Sequence, residues 1–426
     1  MARMLGAGDF PEGTPLNHFL AWNAARRRPD RRAAIAQEIM RRLDDPDAVA
    51  AYLGDSEAAR TLVEALQAAL GRSEMERHAA VFRAFEALEA EIDLDVLAAS
   101  RVAPSRLRRG PRRILVIKLS ALGDFIQALG PAAALRRHHA ADRITLLTTA
   151  PYAELARQTG YFDEILIDPR PRLFNLGGWL ALRRSLRAGR FDRVYDLQTS
   201  DRSSSYAWLL RPGRPQWSGI ARGCSHPHAD LDRDAGHTID KQAEQLLMAG
   251  IHPVPLPSLS AVAAPLPAGL AGRDFVLLIP GSSPRHPAKR WPAERYGQLA
   301  ARLDTLGYLP VVLGSPGERA IAAAIVAACP AALDLAGKTD LAALAGLARA
   351  AAFTVGNDTG VTHIAAAGGN PVVVLFSNAS EPARCAPRGG SVTVLSRPDL
   401  TDLSVETVLD AALAASGGKE PAVALR

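Results

Sequence analysis

Between Ile114 and Ala415 the hydrophobic pattern alternates between two periods. Short apolar runs at about 114–118, 143–148, 163–167 and 192–196 are separated by stretches at about 123–138, 151–158, 175–188 and 201–210 whose apolar residues recur every three or four positions. The runs read as strands and the stretches as amphipathic helices, and their alternation predicts a doubly wound parallel sheet. A helix at about 239–250 closes this unit. The segment Ile251-His-Pro-Val-Pro-Leu-Pro-Ser258, followed by Ala264-Pro-Leu-Pro267, puts proline where helix and ladder both need an N–H, so it reads as a domain linker. A second series follows, with strands near 275–279, 309–313, 332–335, 352–355, 371–375 and 392–395 and helices near 292–306, 317–328, 340–349, 360–368 and 404–415.

The start of the chain differs. Asp30–Leu43, Asp47–Leu53, Ser56–Leu70 and Ser73–Ile92 carry helical spacing with acidic or hydroxyl residues at their starts, and no strand pattern appears before a basic linker at 101–113. The expected organisation is an all-helical N-terminal segment, 1–105, then an α/β unit over 112–255 and a second over 268–415.

Composition narrows the class. A chain of 426 residues with 48% hydrophobic and 22% charged residues is long enough for two or three domains with real cores. No apolar run reaches the ~18 residues of a membrane span, and the first residues lack the apolar stretch of a signal peptide, so the cytoplasm is expected. Cys224, Cys329 and Cys385 are too scattered for a disulfide framework or a CxxC metal site. The net charge of +6 is spread without an aromatic-interleaved stripe, which disfavours nucleic acid and suits an acidic substrate or an anionic membrane surface equally well. Of 50 Lys plus Arg only five are lysine, and Lys118, Lys241, Lys289 and Lys338 fall in or beside the segments discussed next. A compact ammonium suits a phosphate oxygen.

Several chemistries are disfavoured. No strand is followed by GxGxxG, so a dinucleotide oxidoreductase does not fit. Gly337-Lys338-Thr339 imitates the end of a P-loop, but the position where its first glycine belongs is Ala332, inside an expected strand. Asp230, Asp232 and Asp234, near Cys224, His226, His228 and His237, lack a spacing that would converge them on a metal and read as a solvated loop. No metal site is expected.

Two strand-to-helix junctions carry the chemistry: Lys118-Leu-Ser-Ala-Leu-Gly-Asp124 and Gly356-Asn-Asp-Thr-Gly-Val-Thr-His363. The first turn of a helix at the carboxyl end of a parallel strand offers unpaired N–H groups and a positive dipole end, which suits an anion. Asp124 at the first junction would stay ionised beside the dipole and suffices as a base when proton transfer comes late. As a residue alone it reads first as a carboxylate that only neutralises the helix end. At the second junction, Asp358-Thr359-Gly360 offers N–H groups, a hydroxyl and room for a diphosphate, while His363 alone reads as a packed histidine. Ser282 and Ser283 after one strand, Lys289 before Pro292, and Glu318 after Gly314-Ser-Pro-Gly317 complete an inventory that suits a nucleoside diphosphate with a ribose.

In order and separation, Ile114-Leu-Val-Ile-Lys-Leu-Ser-Ala-Leu-Gly-Asp124, Lys289-Arg-Trp-Pro292 and Gly356-Asn-Asp-Thr-Gly-Val-Thr-His-Ile-Ala-Ala366 resemble glycosyltransferase family 9, the ADP-heptose:lipopolysaccharide heptosyltransferases. The resemblance covers about 112–415 and implies a GT-B fold of two Rossmann-like domains, with acceptor on the first and nucleotide sugar on the second. It also implies an inverting reaction with no catalytic metal and no cofactor beyond the ADP-sugar substrate. Carried over, Asp124 becomes the general base and Lys289 neutralises the diphosphate. Ser282, Ser283, Glu318, Asp358, Thr359, Gly360 and His363 line the donor site, with the Glu318 loop shorter than the family's. Lys118, Ser120, Arg170, Arg172, His237 and Lys241 would meet the phosphates of a lipid- or glycan-linked acceptor. The helices of 1–105 and the loop 221–237 depart from the plain two-domain pattern, which leaves the acceptor open. Another nucleotide sugar, a polysaccharide or protein acceptor, and a noncatalytic protein working through its N-terminal helices are the rival readings. Arg26-Arg27-Arg28 and Arg31-Arg32 would allow peripheral association with the inner face of the cytoplasmic membrane, although a solvated helix face is the favoured reading of them.

Overall fold

The computed structural model describes residues 111–416, apart from 214, 223, 229–235, 248, 284 and 285, together with Glu64, which is helical and exposed. The other residues expected in N-terminal helices, the arginine clusters at 26–28 and 31–32, and Asp230, Asp232 and Asp234 lie outside the described residues.

The first unit holds strands β1 (Arg113–Ile117), β2 (Arg143–Thr148), β3 (Glu164–Ile167), β4 (Arg193–Asp196), β5 (Gln216–Gly219) and β6 (His226–Pro227). Helices α1 (Leu122–Gln127), α2 (Leu129–His138), α3 (Ala150–Gln158), α4 (Leu176–Ala188), α5 (Asp201–Leu209) and α6 (Thr238–Leu247) connect and follow them. The second unit holds β7 (Phe275–Ile279), β8 (Leu309–Val312), β9 (Leu333–Asp334), β10 (Thr354–Asn357), β11 (Val372–Phe376) and β12 (Val392–Ser396). Its helices are α7 (Ala293–Thr305), α8 (Arg319–Ala328), α9 (Leu341–Ala350), α10 (Gly360–Ala367), α11 (Pro382–Cys385) and α12 (Val405–Ala415).

Both sheets are parallel, in the orders β3-β2-β1-β4-β5-β6 and β12-β11-β10-β7-β8-β9. Relative to its own first strand each runs in the same doubly wound order, as the alternating pattern predicts. The central strands are apolar because helices cover both faces: Ile114 to Ile117 and Phe275 to Ile279 are all buried. Each sheet reverses direction between its first and fourth strand, β1/β4 and β7/β10, and ligands of open parallel sheets bind at the carboxyl ends beside that reversal.

Sequence and structure part company in a few places. The single helix expected over 123–138 is two, meeting at Ala128. Pro131 has no N–H to bond the carbonyl of Gln127, and its ring crowds that carbonyl, so the helix ends there although the apolar spacing runs on. Strands β5 and β6 were not expected; each is short, and the second is only two residues held by its ladder to the first. The proline-rich 251–267 segment has no regular structure but is not a loose tether. Leu259 and Val262 are fully buried, the Leu259 N–H donates to the Ala367 carbonyl at 2.8 Å, and Arg349 Nη1 donates to the Leu259 carbonyl at 2.9 Å.

The two units also meet directly through α1 and α10. A Cβ on Gly123 would lie 3.0 Å from His363 Cδ2, and one on Gly360 would lie 2.6 Å from Leu122 Cβ, so each helix omits a side chain where the other enters. Polar bonds flank this contact: Arg388 grips Asp240 through both oxygens at 2.5 and 2.8 Å, and Gln127 Nε2 donates to the Cys385 carbonyl at 3.2 Å.

Candidate active site

At the first junction, β1 runs straight into a polar corner. Lys118 is 4% exposed, and its ammonium donates to the Leu197 carbonyl at 3.1 Å. Burial lowers its pKa, against which the nearby Asp124 and Asp196 carboxylates pull it up. Asp196, at the carboxyl end of β4, is raised to about 6 by its own burial even though its Oδ1 accepts the N–H groups of Gln198 and Thr199. Gln198 Oε1 in turn accepts the N–H groups of Leu119 and Ser120 at 2.8 and 3.0 Å, which fixes the turn ahead of α1. Asp124, in the first turn of α1, is half-buried; its Oδ2 accepts the Ala121 N–H at 3.3 Å.

The other acceptor-side candidates separate. His237 is buried and has both ring nitrogens engaged: Nε2 donates to the Ala386 carbonyl at 2.9 Å and Nδ1 accepts the Ile239 N–H at 3.1 Å. Burial lowers its pKa, in keeping with a neutral ring. It thus spans the two units rather than facing open solvent. Lys241 is half-buried one turn further on. Arg170 and Arg172 are exposed on the loop after β3. Tyr152 links that loop to the first junction, because its hydroxyl lies in the field of both Asp124 and Arg170 while its ring stacks on Phe125 at 4.9 Å. Sequence reasoning missed Tyr152, whose one signal was its place in the first turn of the helix after β2.

The second junction is more tightly built. Lys289 Nζ and Asp358 Oδ2 form an ion pair at 2.6 Å, with the Ser380 hydroxyl donating to the same oxygen at 2.7 Å. The pair is only partly solvated, the side chains being 18% and 7% exposed. Thr359 caps α10 by accepting the Val361 N–H at 3.2 Å. Ser282 is buried, donates to the His286 carbonyl at 3.1 Å, and accepts Arg290 Nε at 3.0 Å. Ser283, next to it, is exposed. Glu318 sits in a short 3-10 turn, where its Oε2 accepts the Ser315 N–H at 2.6 Å. Its carboxylate lies so close to Gly281 that a Cβ there would collide with Oε1, which brings the Glu318 loop against the serine loop.

One residue ties these loops together, and sequence reasoning missed it too. Asn357 is fully buried at the end of β10. Its Nδ2 donates to the Pro280 carbonyl at 2.7 Å, and its Oδ1 accepts the Trp291 N–H at 3.1 Å and the Tyr296 hydroxyl at 3.2 Å. Its carbonyl accepts the Thr362 hydroxyl at 2.7 Å. The loop carrying Ser282 and the loop carrying Lys289 therefore share one side-chain amide as anchor, and the backbone carbonyl of the same residue holds the start of α10. Its signal was its place immediately before Asp358, at the strand end.

His363 joins the two halves. It is buried on α10, its ring packs over Gly123, and its Nδ1 is 3.3 Å from Gln127 Nε2. Burial lowers its pKa to about 4, although Asp358 and Asp124 both pull upward, so the ring is neutral at physiological pH. Asp124 and Asp358, one from each unit, thus both act on one imidazole. A carboxylate from one unit faces a helix end, an ammonium and hydroxyls from the other, which can deprotonate a nucleophile on one side and hold a departing anion on the other. Among the described residues no group of three or more His, Cys, Asp or Glu converges as a metal would need.

Known proteins resemble this chain in sequence and in fold. The model of glycosyltransferase family 9 (heptosyltransferase) matches residues 179–410. Lipopolysaccharide heptosyltransferase 2 of Salmonella typhimurium is 28% identical over 291 residues, covering 63% of this chain and 83% of that protein. Lipooligosaccharide heptosyltransferase 2 of Haemophilus influenzae is 34% identical over 131 residues, 30% of this chain and 37% of that protein. Among solved structures, the E. coli ADP-heptose lps heptosyltransferase II superposes with a TM-score of 0.60 at 24% identity, over 72% of this chain and 99% of that one. A family 9 glycosyltransferase from Veillonella parvula gives 0.64 at 23% identity, over 73% and 98%. The structural likenesses establish a shared two-domain fold, and the family match spans more than half of the sequence. The chain belongs to glycosyltransferase family 9, and it is a glycosyltransferase.

Proposed function

We propose that this enzyme moves a heptose, or a closely related sugar, from an ADP-linked donor to a lipopolysaccharide-core acceptor, with inversion at the anomeric carbon and without a metal ion. One observation carries the reading: the two strand-to-helix junctions meet across the domain contact at Gly123 and Gly360, with Asp124 from one unit and the Lys289–Asp358 pair from the other all in the field of His363. The relatives named as heptosyltransferases support the sugar and the acceptor. The adenine base follows from the family resemblance.

In this reading the acceptor hydroxyl enters over the first unit and its oxygen attacks the anomeric carbon from the face opposite the diphosphate. The C–O bond to the diphosphate breaks, ADP leaves with the electron pair, and Asp124 takes the hydroxyl proton. The transition state has oxocarbenium character, so the proton becomes acidic late and a carboxylate suffices. Charge builds on the leaving diphosphate. Lys289 has three N–H donors and spends one on Asp358, leaving two for phosphate oxygens. The first turn of α10 adds its unpaired N–H groups and the Thr359 hydroxyl, whereas the missing side chain of Gly360 makes room for Leu122 rather than for the diphosphate. Ser282 and Ser283 border the phosphates, Glu318 takes the ribose, and neutral His363 stays uncharged in the field of both carboxylates. On the acceptor side, Ser120, Lys241, Arg170 and Arg172 meet phosphate in this reading. Buried Lys118 and doubly bonded His237 hold the corner and the domain contact in shape.

The test is turnover of ADP-heptose with a core-type acceptor by Asp124→Asn. The amide keeps the size and loses the base, so turnover falls about 100-fold or more while ADP affinity stays within about twofold. Near-normal turnover would remove Asp124 from the mechanism, and a product with retained anomeric configuration by NMR would remove the single displacement.

A further inference from the structure

The loop after β3 and the start of α4 spend apolar side chains on solvent. Phe174 is 92% exposed, Leu173 75%, Leu176 73% and Leu180 59%. Scattered apolar residues on a surface are ordinary, but four within eight positions form a patch that usually marks an interaction site. The loop beneath them is bonded down. Arg170 N–H donates to Asp168 Oδ1 at 2.7 Å, Arg202 donates to the Pro171 carbonyl at 3.1 Å, and Trp179 Nε1 donates to the Arg172 carbonyl at 3.1 Å. The backbone is thus secured to the body while the side chains point away from it.

Helix α4 continues the pattern. Its core face is Leu182 and Leu186, both buried. At 100° per residue Leu176, Leu180 and Arg187 form a different stripe, apolar at the N-terminal end and cationic at the other. From Pro169 to Arg190 there are six arginines, Arg170, Arg172, Arg183, Arg184, Arg187 and Arg190, and no acidic residue. Aromatic and leucine side chains beside a one-signed row of guanidinium groups are complementary to a lipid surface carrying negative headgroups. The loop also follows the carboxyl end of β3, the edge of the sheet on which Asp124 opens, and Tyr152 lies in the field of both Arg170 and Asp124.

We propose that Leu173, Phe174, Leu176 and Leu180, with the surrounding arginines, form a docking surface for an anionic lipid layer, which holds the acceptor side of the enzyme at the membrane from which a lipid-linked acceptor is drawn. The lipid-linked acceptor rests on the function proposed above; the lipid contact is measurable without it.

The experiment uses the full chain and vesicles of phosphatidylcholine with or without phosphatidylglycerol, read by co-sedimentation. The wild type sediments with the anionic vesicles and not with the neutral ones. Phe174→Ser with Leu176→Ser, and separately Arg184→Glu with Arg187→Glu, lower the partition coefficient about tenfold or more, with unchanged circular dichroism and elution volume. Turnover on a water-soluble core oligosaccharide stays at the wild-type level in both variants. Binding equal in all three proteins would place the lipid contact elsewhere and overturn the proposal, as would binding without preference for anionic vesicles. A variant whose elution volume or thermal midpoint shifts would show that the face packs against protein, and this too would overturn it. Failure of the heptosyl assignment would leave the vesicle result standing.

Discussion

Replacing Asn357 by leucine tests whether one buried amide organises the donor side. The two side chains have the same branching and the same number of heavy atoms, so no cavity opens and the cost isolates the hydrogen bonds. Leucine leaves the Pro280 carbonyl and the Trp291 N–H without their partner, both in a dry setting where Trp291 is 1% exposed. The Tyr296 hydroxyl is spared because its one proton can turn to the Ile279 carbonyl, also at 3.2 Å. A buried polar group left unpaired costs about 1–3 kcal/mol, so two cost about 2–6 kcal/mol. Leucine recovers part of this by removing an amide that had to be desolvated, which leaves an expected net loss of about 3 kcal/mol. Urea denaturation of the full chain followed by near-ultraviolet circular dichroism measures it, with Tyr296→Phe as a milder control near about 1 kcal/mol. Because the loops carrying Ser282 and Lys289 hang on the same amide, ADP affinity by calorimetry should fall about tenfold as well. A loss below about 1 kcal/mol with unaltered ADP affinity would mean that the loops hold without Asn357, and the anchoring argument would be refuted.

Other perturbations reach different parts of the site. Activity should survive EDTA, with Lys289 and the α10 terminus acting on the diphosphate; abolition by EDTA and rescue by Mg²⁺ or Mn²⁺ would point to Asp230, Asp232 and Asp234 instead. His363 is neutral when folded, its pKa lowered from 6.5 to about 4, whereas the unfolded chain binds a proton below about 6.5. Its contribution to stability is complete above pH 6.5 and is lost as pH falls towards 4, so His363→Gln should flatten the acid limb of a stability-versus-pH curve there, and an unchanged curve would contradict the burial argument. A chain beginning near Ser105 should still fold and bind ADP, since every matched motif lies later; a folded protein that no longer binds it would assign residues 1–105 to the donor site.

Most of the architecture was legible because parallel sheets covered on both faces need strands such as Ile114–Ile117 and Phe275–Ile279 to be continuously apolar, and little else in a soluble protein looks like that. The two junctions were legible for a related reason: a strand that ends in glycine, hydroxyl and acid is advertising a ligand. The break at Ala128 was written in Pro131 but masked by apolar spacing that runs through it. What could not be read was convergence. Nothing in the neighbourhood of Asn357 announces that residues some 77 positions upstream will bond to it. Likewise His237, whose local string suggests a phosphate ligand, has both nitrogens committed once Ala386 arrives from the other unit.

Gly123 and Gly360 set the spacing between the two units. A methyl group on Gly360 would start 2.6 Å from Leu122 Cβ, whereas carbon atoms in contact settle near about 3.8 Å, so the units would have to part by about 1 Å. Neither half-site would be damaged, since the donor loops and the acceptor corner each keep their own bonds. Only their register would slip, and catalysis is sensitive to displacements of that size. On the function proposed above, two hydrogen atoms in place of two methyl groups are the clearance on which transfer depends: an enzyme with wider spacing would hold both substrates competently and bring them together poorly.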